Sequence, residues 1–271
     1  MGDVAELFFS QAALGTFRVC PLRFRYRYID DLFWSPLWGT DPAERAAAER
    51  GLNFHLLARR YYTGADPGLP PEDPAAPSDY ARWLTYLQAF LPLEPDRSYY
   101  PELELRLDRP GLRLLARFDL LVVDADGKAT IYDWKTESRA PRRPYLRHSL
   151  QTVLYRYLLC AAGGAYSPLG RFAPEQVSMV YWFAQRPERW ERFEYTAAEF
   201  SRDERYLREL IAQIQRTARD QFLATTDLKV CDHCEYASVC HNRRAERVDL
   251  DEEEWLQEAT LAWDDLPELP G

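Results

Sequence analysis

The spacing of apolar residues changes from helical to alternating near residue 99, and the two patterns then follow each other. Helical spacing occupies segments 4–19, 41–62, 79–91, 146–161 and 197–219. Strand-like patterns occupy segments 99–107, 112–124, 128–136, 176–184 and 189–196. Three strands, a helix and two further strands predict an antiparallel meander, a crossover helix and additional sheet. The expected fold is therefore α/β, with a mixed central β-sheet flanked by helices.

Two segments differ in composition from the rest. Residues 64–79 contain five prolines and predict a loop, and residues 246–271 contain ten acidic residues and one arginine. We expect a single domain over residues 1–245, followed by an acidic tail over 246–271. Within that domain we expect a helical part (1–98), a core that carries the sheet (99–220) and a cysteine segment (221–245).

Charge and hydropathy limit the classes of function. The net charge of the chain is −9, and residues 246–271 alone account for −9, so residues 1–245 are neutral with local arginine clusters. Nucleic-acid binding is therefore neither indicated nor excluded. No apolar run reaches the roughly 20 residues of a membrane span, and the N-terminus has acids where a secretory signal needs basic residues. We expect a cytoplasmic protein without a membrane partner, whose acidic tail is a candidate site for a protein partner.

The hairpin between the second and third predicted strands can form with two different turns. A two-residue turn at Asp126 and Gly127 would place Asp119 opposite Trp134. A three-residue turn that ends in a left-handed Gly127 instead places Asp119 opposite Asp133. We favour the second turn, because it also pairs the opposite charges of Asp124 and Lys128.

That register brings Asp119 and Asp133 together, with Lys135 further along the same strand face. Lys135 is one of three lysines among 34 basic residues, and a compact ammonium is not equivalent to a guanidinium. Two adjacent buried carboxylates are costly unless a cation neutralises them. A divalent metal such as Mg²⁺ or Mn²⁺ would do so. Alternatively, one aspartate ends its strand and Lys135 pairs with the other.

Three cysteines near the C-terminus, in "CDHCEYASVC", have the spacing of a metal or cluster site. The spacing is Cys-x2-Cys-x5-Cys, so a fourth ligand is needed. The candidates are His233, His241, Cys160 and Cys20. Cys160 lies in an apolar helical run and is typical of a core residue. Cys20 lies at the end of a predicted helix, before a proline, and is the better candidate. The spacing does not distinguish Zn²⁺ from an iron–sulfur cluster.

Five segments together resemble a known family. They are "FSQAALGTFRVCPLRFRYRY", "GLNFHLLARR", "ARFDLLVVDADGKATIYDWKT", "QTVLY" and "CDHCEYASVC". Their order and separation are similar to those of RecB-like nucleases of the PD-(D/E)XK superfamily. The closest likeness is to the branch with an iron–sulfur cluster, which includes the CRISPR-associated adaptation exonuclease and the AddB nuclease domain. The resemblance implies a restriction-endonuclease-like nuclease core.

The resemblance also implies roles for individual residues. His55, Asp119 and Asp133 would bind Mg²⁺ or Mn²⁺, with the backbone carbonyl of Trp134 as a further ligand. Lys135 would orient the attacking water and stabilise charge on the phosphate, which explains a lysine at this position.

Two further motifs take their roles from the same resemblance. Gln151 and Tyr155 match the family's Q-x3-Y motif, and as residues four apart on a helix they would share one face in the active site. A [4Fe–4S] cluster, favoured over Zn²⁺ by the resemblance, would be held by Cys20, Cys231, Cys234 and Cys240.

The implied activity is that of a metal-dependent deoxyribonuclease, more specifically an exonuclease on single-stranded DNA ends in repair, recombination or CRISPR adaptation. Tyr145 could stack on bases. Four arginines after the third strand would bind backbone phosphates: Arg139, Arg142, Arg143 and Arg147. The alternative is a DNA-binding or assembly subunit of a larger helicase–nuclease or adaptation complex, with weak or no intrinsic cleavage.

Overall fold

A computed structural model describes residues 4–32, 42–66, 68, 79–137, 141–232 and 234–241 of the chain. The α-helices in these ranges are α1 (Gln11–Val19), α2 (Pro21–Phe24), α3 (Pro42–Tyr62), α4 (Tyr80–Phe90), α5 (Arg143–Arg147), α6 (Leu150–Ala162), α7 (Ala197–Arg216), α8 (Leu228–Asp232) and α9 (Ala237–His241). The strands are β1 (Ser98–Arg109), β2 (Leu112–Val123), β3 (Ala129–Lys135), β4 (Val177–Phe183) and β5 (Trp190–Glu194). Arg139, His233, most of the proline-rich loop and the acidic tail lie outside the described residues.

The five strands form one mixed sheet in the order β1-β2-β3-β4-β5. β1, β2 and β3 pair antiparallel, β3 and β4 pair parallel, and β4 and β5 pair antiparallel. A parallel pair needs a long connection, and the segment that carries α5 and α6 supplies it between β3 and β4. The predicted α/β fold, with its meander and helical crossover, is confirmed.

The β2–β3 hairpin has the predicted three-residue turn. The N–H of Asp124 donates to the carbonyl of Lys128 at 2.9 Å, and Gly127 has φ +82°. That positive φ is the left-handed backbone that glycine adopts without a Cβ clash. The regular pairs run from Val123–Ala129 to Leu120–Tyr132. The register that places Asp119 and Asp133 at corresponding positions is therefore confirmed.

Two predicted helices have different limits in the structure. The first was expected over 4–19 but begins at Gln11, because the Ser10 hydroxyl accepts the N–H of Ala13 at 3.1 Å and Phe9 instead pairs with Leu114 of β2. The segment 146–161 was expected as one helix but is divided into α5 and α6. Ser149 causes the division, since it has an extended backbone and caps α6 by accepting the N–H of Thr152.

Packing groups the described residues into two compact units. The sheet unit comprises residues 4–14 and 53–216 and contains all five strands. The cysteine unit comprises residues 15–32, 42–52, 217–232 and 234–241 and contains four of the five cysteines. None of the described helices has both the length and the apolar character needed to cross a lipid bilayer.

An aromatic core in the sheet unit supports the C-terminal part of α3. Phe54 is fully buried, stacks on Trp182 at a ring distance of 6.0 Å and meets Trp83 of α4 edge-on at 5.7 Å. Leu120 and Trp134 belong to the same buried cluster. Because Phe54 is held in this cluster, the position of the next residue on the helix, His55, is held as well.

Candidate active site and cysteine cluster

Asp119 and Asp133 lie where β2 and β3 stop pairing with each other. Each is one residue beyond the last regular pair, Leu120–Tyr132. The N–H of Trp134 then donates to Asp119 Oδ2 at 2.7 Å, so a carboxylate replaces a strand carbonyl as the acceptor. This exchange fixes the Asp119 side chain at the point where the two strands separate.

His55 of α3 contacts Asp119, with 3.3 Å between His55 Nδ1 and Asp119 Oδ1. Burial alone would lower the pKa of His55, but the charge and hydrogen bond of Asp119, together with the charge of Glu102, raise it to about 9. Burial alone would raise the pKa of Asp119, but His55, the Trp134 amide and Lys135 outweigh it and lower that pKa. The two residues therefore form a buried ion pair.

Glu102 of β1 is a further carboxylate at this position. His55, Glu102 and Asp119 each offer one ligand atom, and these three atoms lie within 4.8 Å of one another. This arrangement could hold a metal ion. Glu102 has φ +52°, an uncommon left-handed backbone for a residue other than glycine. Burial and the nearby charge of Asp119 raise the pKa of Glu102 to about 7.

Sequence reasoning missed Glu102. In "PELELRL" both Glu102 and Glu104 alternate with leucines, a pattern that predicts a solvated strand face from which Glu104 could approach a metal. Glu104 instead pairs with Arg106 at 2.8 Å on the exposed surface. The tight turn between Arg109 and Leu112 carried the missing information, because the β1–β2 register that it sets places Glu102 level with Asp119.

Asp133 of β3 is contacted by Lys135 and by Gln151. Its Oδ2 lies 3.1 Å from Lys135 Nζ, and its Oδ1 accepts a hydrogen bond from Gln151 Nε2 at 2.5 Å. Burial raises the pKa of Asp133 to about 7, although Lys135 opposes the rise. Tyr155, one turn after Gln151 on α6, is buried with its ring 5.0 Å from that of Phe118.

This group of side chains fits a divalent metal. Three carboxylates and one imidazole offer mostly hard oxygen ligands, which suit Mg²⁺ or Mn²⁺. The raised pKa values of Glu102 and Asp133 show that burying these acids without a divalent cation is unfavourable. The Trp134 carbonyl as a ligand stays a prediction.

The predicted DNA-binding arginines that are described lie near the surface after β3. Arg142 is exposed. Arg143 pairs with Glu191, and Arg147 lies 3.4 Å from Glu199. The two arginine side chains are about half exposed, whereas those of Glu191 and Glu199 are only 18% and 12% exposed. The DNA-binding role of these arginines stays a prediction.

Four cysteines of the cysteine unit line one cavity. Cys20 caps α2, where its sulfur accepts the N–H of Arg23 at 3.4 Å. Burial raises the pKa of Cys234 to about 12. The cavity is lined by residues that include Cys20, Cys231, Cys234, Cys240, Arg23 and His241. By contrast, Cys160 lies on α6 in the sheet unit, and burial raises the pKa of its thiol to about 12.

A buried acid connects the two sequence segments that supply these cysteines. Glu235 follows Cys234 directly, and its carboxylate lies 2.9 Å from Arg23 Nη2 and 2.8 Å from Arg27 Nη2. Arg23 Nε donates to the same carboxylate at 3.0 Å. The segment after Cys20 and the segment after Cys234 are therefore joined by protein contacts alone.

Comparison with known proteins gives one family and a similarity of fold. Residues 9–107 and 92–241 match the model of the PD-(D/E)XK nuclease superfamily. The solved structure of a candidate exonuclease from Eubacterium rectale aligns over 92% of both chains with 7% identity and a TM-score of 0.50, a likeness of fold alone. The solved structure of SSO0001 aligns over 88% of both chains with 17% identity and a TM-score of 0.39. No curated protein sequence matches significantly.

Proposed function

Because the chain belongs to the PD-(D/E)XK nuclease superfamily, we propose that it is a metal-dependent deoxyribonuclease that removes nucleotides from single-stranded DNA ends. One observation carries this proposal: the group formed by His55, Glu102 and Asp119, with Asp133 held by Lys135 in the same buried region. A structural role would not require so many ionisable groups in one place.

His55, Asp119 and Asp133 are the proposed metal ligands, with Glu102 and the Trp134 carbonyl as additional donors. A divalent cation bound there would activate a water molecule and stabilise negative charge on the scissile phosphate. The chain itself must release protons before it can bind the cation, because Glu102 and Asp133 have raised pKa values and His55 is protonated in the ion pair.

Lys135 and Gln151 act on the same carboxylate. Lys135 holds an ammonium 3.1 Å from Asp133 Oδ2, within reach of a phosphate oxygen bound beside that carboxylate. Gln151 occupies Oδ1, which leaves Oδ2 directed towards Lys135. Tyr155 is buried against Phe118, so its proposed role is to hold α6 in place.

Two surface features support single-stranded DNA as the substrate. Tyr145 is 70% exposed and offers a ring on which a base can stack. Arg142, Arg143 and Arg147 lie in the same short segment and supply charge for backbone phosphates. Repair, recombination or CRISPR adaptation is the proposed setting.

The activity is tested with end-labelled linear DNA, single- and double-stranded, and with circular single-stranded DNA. Each substrate is incubated with Mn²⁺, with Mg²⁺ or with EDTA. We expect metal-dependent release of label from linear single strands and little cleavage of circles. Cleavage of circles at the same rate would refute the exonuclease, and no cleavage of any substrate by protein with an intact cysteine site would favour the DNA-binding or assembly subunit.

We also propose that the cysteine cavity holds a [4Fe–4S] cluster through Cys20, Cys231, Cys234 and Cys240. In a tetrahedral Zn²⁺ site the sulfurs lie about 3.8 Å apart. Among the described residues, no three cysteine sulfurs lie within 4.8 Å of one another. A cluster separates its thiolates more widely than one ion, because irons and sulfides lie between them. A colourless anaerobic preparation with stoichiometric zinc would contradict this assignment.

A further inference from the structure

Tyr181 contacts both side chains that hold Asp133. Its hydroxyl donates to Gln151 Oε1 at 3.1 Å, and Lys135 Nζ lies 5.8 Å from the centre of its ring. Tyr181 is fully buried on β4, where it pairs in register with Asp133 of the neighbouring strand. The sequence pattern identified β4 as a strand and did not mark Tyr181 for function.

The hydrogen bonds around Tyr181 have a single consistent direction. An ionised Asp133 can only accept, so Gln151 must present Nε2 to it and turn Oε1 towards Tyr181. The Tyr181 hydroxyl therefore donates to Gln151 Oε1, and it also lies 2.8 Å from Thr152 Oγ1. The Gln151 amide is thus held in one of its two orientations by the Tyr181 hydroxyl on its far side.

This series of hydrogen-bonding side chains begins at the N-terminal cap of α6. The hydroxyls of Ser149 and Thr152 both donate to the carbonyl of Leu146, at 2.9 Å and 2.6 Å. Thr152 Oγ1 in turn lies 2.8 Å from the Tyr181 hydroxyl. The residues that cap α6 are therefore connected through Tyr181 and Gln151 to the carboxylate of Asp133.

We propose that Tyr181 is a positioning residue of the active site, which acts through Gln151 to fix the orientation of the Asp133 carboxylate. The inference rests on the proposed role of Asp133 as a metal ligand. A tyrosine that only filled the core could be replaced by phenylalanine at the cost of one buried hydrogen bond. A positioning residue must in addition change the binding of the metal.

The test compares Tyr181→Phe, Gln151→Ala and the double variant in Mn²⁺ affinity without DNA, and in kcat and KM on single-stranded DNA. Loss of a residue that orients a metal ligand costs 10- to 100-fold in affinity or activity. We expect Tyr181→Phe to lower Mn²⁺ affinity and kcat about 10-fold with KM for DNA unchanged. In the Gln151→Ala background the same change should have no further effect, because the route through Gln151 is already lost.

Tyr157→Phe is the matched control, since Tyr157 is also fully buried but stacks on Phe200 instead. It should leave Mn²⁺ affinity unchanged. If Tyr181→Phe does not fold, Thr152→Val removes the hydroxyl that contacts the Tyr181 hydroxyl at 2.8 Å and should lower Mn²⁺ affinity in the same direction. Wild-type Mn²⁺ affinity in Tyr181→Phe, or a full additional loss in the Gln151→Ala background, overturns the proposal. If wild type does not cleave DNA but the coupling in Mn²⁺ affinity persists, the nuclease function fails and the positioning role stands.

Discussion

Replacing Glu235 by alanine should open the cysteine unit locally while leaving the sheet unit intact. The Glu235 side chain is 1% exposed, and those of its partners Arg23 and Arg27 are 15% and 11% exposed. Removing one partner of a buried ion pair costs about 3–5 kcal/mol, because the remaining charge is left uncompensated. Since water reaches both arginines in part, we expect the lower end, about 3 kcal/mol.

The measurement is hydrogen exchange by mass spectrometry on reduced protein kept free of metal by a chelator. A loss of about 3 kcal/mol in local opening free energy corresponds to roughly 100-fold faster exchange in peptides covering residues 20–29. We also expect less iron to remain bound during purification. If a cluster, and not Glu235, organised this unit, the chelated wild type would already exchange fast and the variant would match it.

Glu204→Ala is the control for this experiment. Glu204 pairs with Arg208 at 2.9 Å one turn along α7, with both side chains largely open to solvent. Such a pair contributes about 0.3–0.5 kcal/mol. Exchange in peptides covering residues 20–29 should therefore not change. Faster exchange in both variants would refute the assignment to Glu235.

Four further predictions concern the metal site and the DNA-binding segment. Mn²⁺ affinity should rise from about pH 6 to about pH 8, because Glu102, Asp133 and His55 hold protons that the metal displaces. Calorimetry of Mn²⁺ binding in buffers of different ionisation enthalpy should show this proton release. A Mn²⁺ affinity that does not depend on pH would contradict the prediction. Because folding raises the pKa values of Glu102 and Asp133 to about 7 and that of His55 to about 9, the metal-free fold should lose stability as pH rises from about 4 to about 9. Its melting temperature should fall over this range, and added Mn²⁺ should restore it. Glu102→Gly should relieve the backbone strain at φ +52° and stabilise the metal-free protein by about 1 kcal/mol. The same substitution should weaken Mn²⁺ binding. Unchanged Mn²⁺ binding would show that Glu102 is not a metal ligand. Arg142→Ala should reduce the salt dependence of DNA binding by a slope of about 1 in log K against log salt, and an unaltered slope would show that Arg142 contacts no phosphate.

The β2–β3 hairpin could be predicted because local chemistry determines its register. Gly127 permits the left-handed backbone that ends the three-residue turn. The length of that turn then determines which residues of β2 lie opposite which residues of β3. Asp119 and Asp133 follow from that register alone. Their shared position at the end of the β2–β3 pairing therefore needed no tertiary information.

Glu102 could not be identified in the same way. The β1–β2 register places Glu102 level with Asp119, but its left-handed backbone occurs at a position where the sequence has no glycine and no turn residue. Such a conformation persists only where surrounding structure imposes it. A pattern of alternating glutamates and leucines carries no trace of it.

The contacts around the cysteines could be predicted from the sequence only in part. The spacing of Cys231, Cys234 and Cys240 predicted a shared site, and the position of Cys20 at the end of a predicted helix, before a proline, made it the better partner. The role of Glu235 was not predictable, because its partners Arg23 and Arg27 are more than 200 residues away in sequence. Pairings at this separation are decided by the fold, and an isolated acid or arginine in the sequence does not indicate them.

The most direct test of the proposed active site is the rate of Mn²⁺-dependent degradation of single-stranded DNA by Asp133→Asn and by Asp126→Asn. Asp133 is buried and held by Lys135 and Gln151, whereas Asp126 lies in the exposed turn of the same hairpin and pairs with Lys128. Both substitutions remove one carboxylate charge, and both proteins should retain wild-type iron content. We expect Asp133→Asn to lose cleavage and Asp126→Asn to keep the wild-type rate. Equal rates in the two variants would contradict the assignment of catalysis to this site.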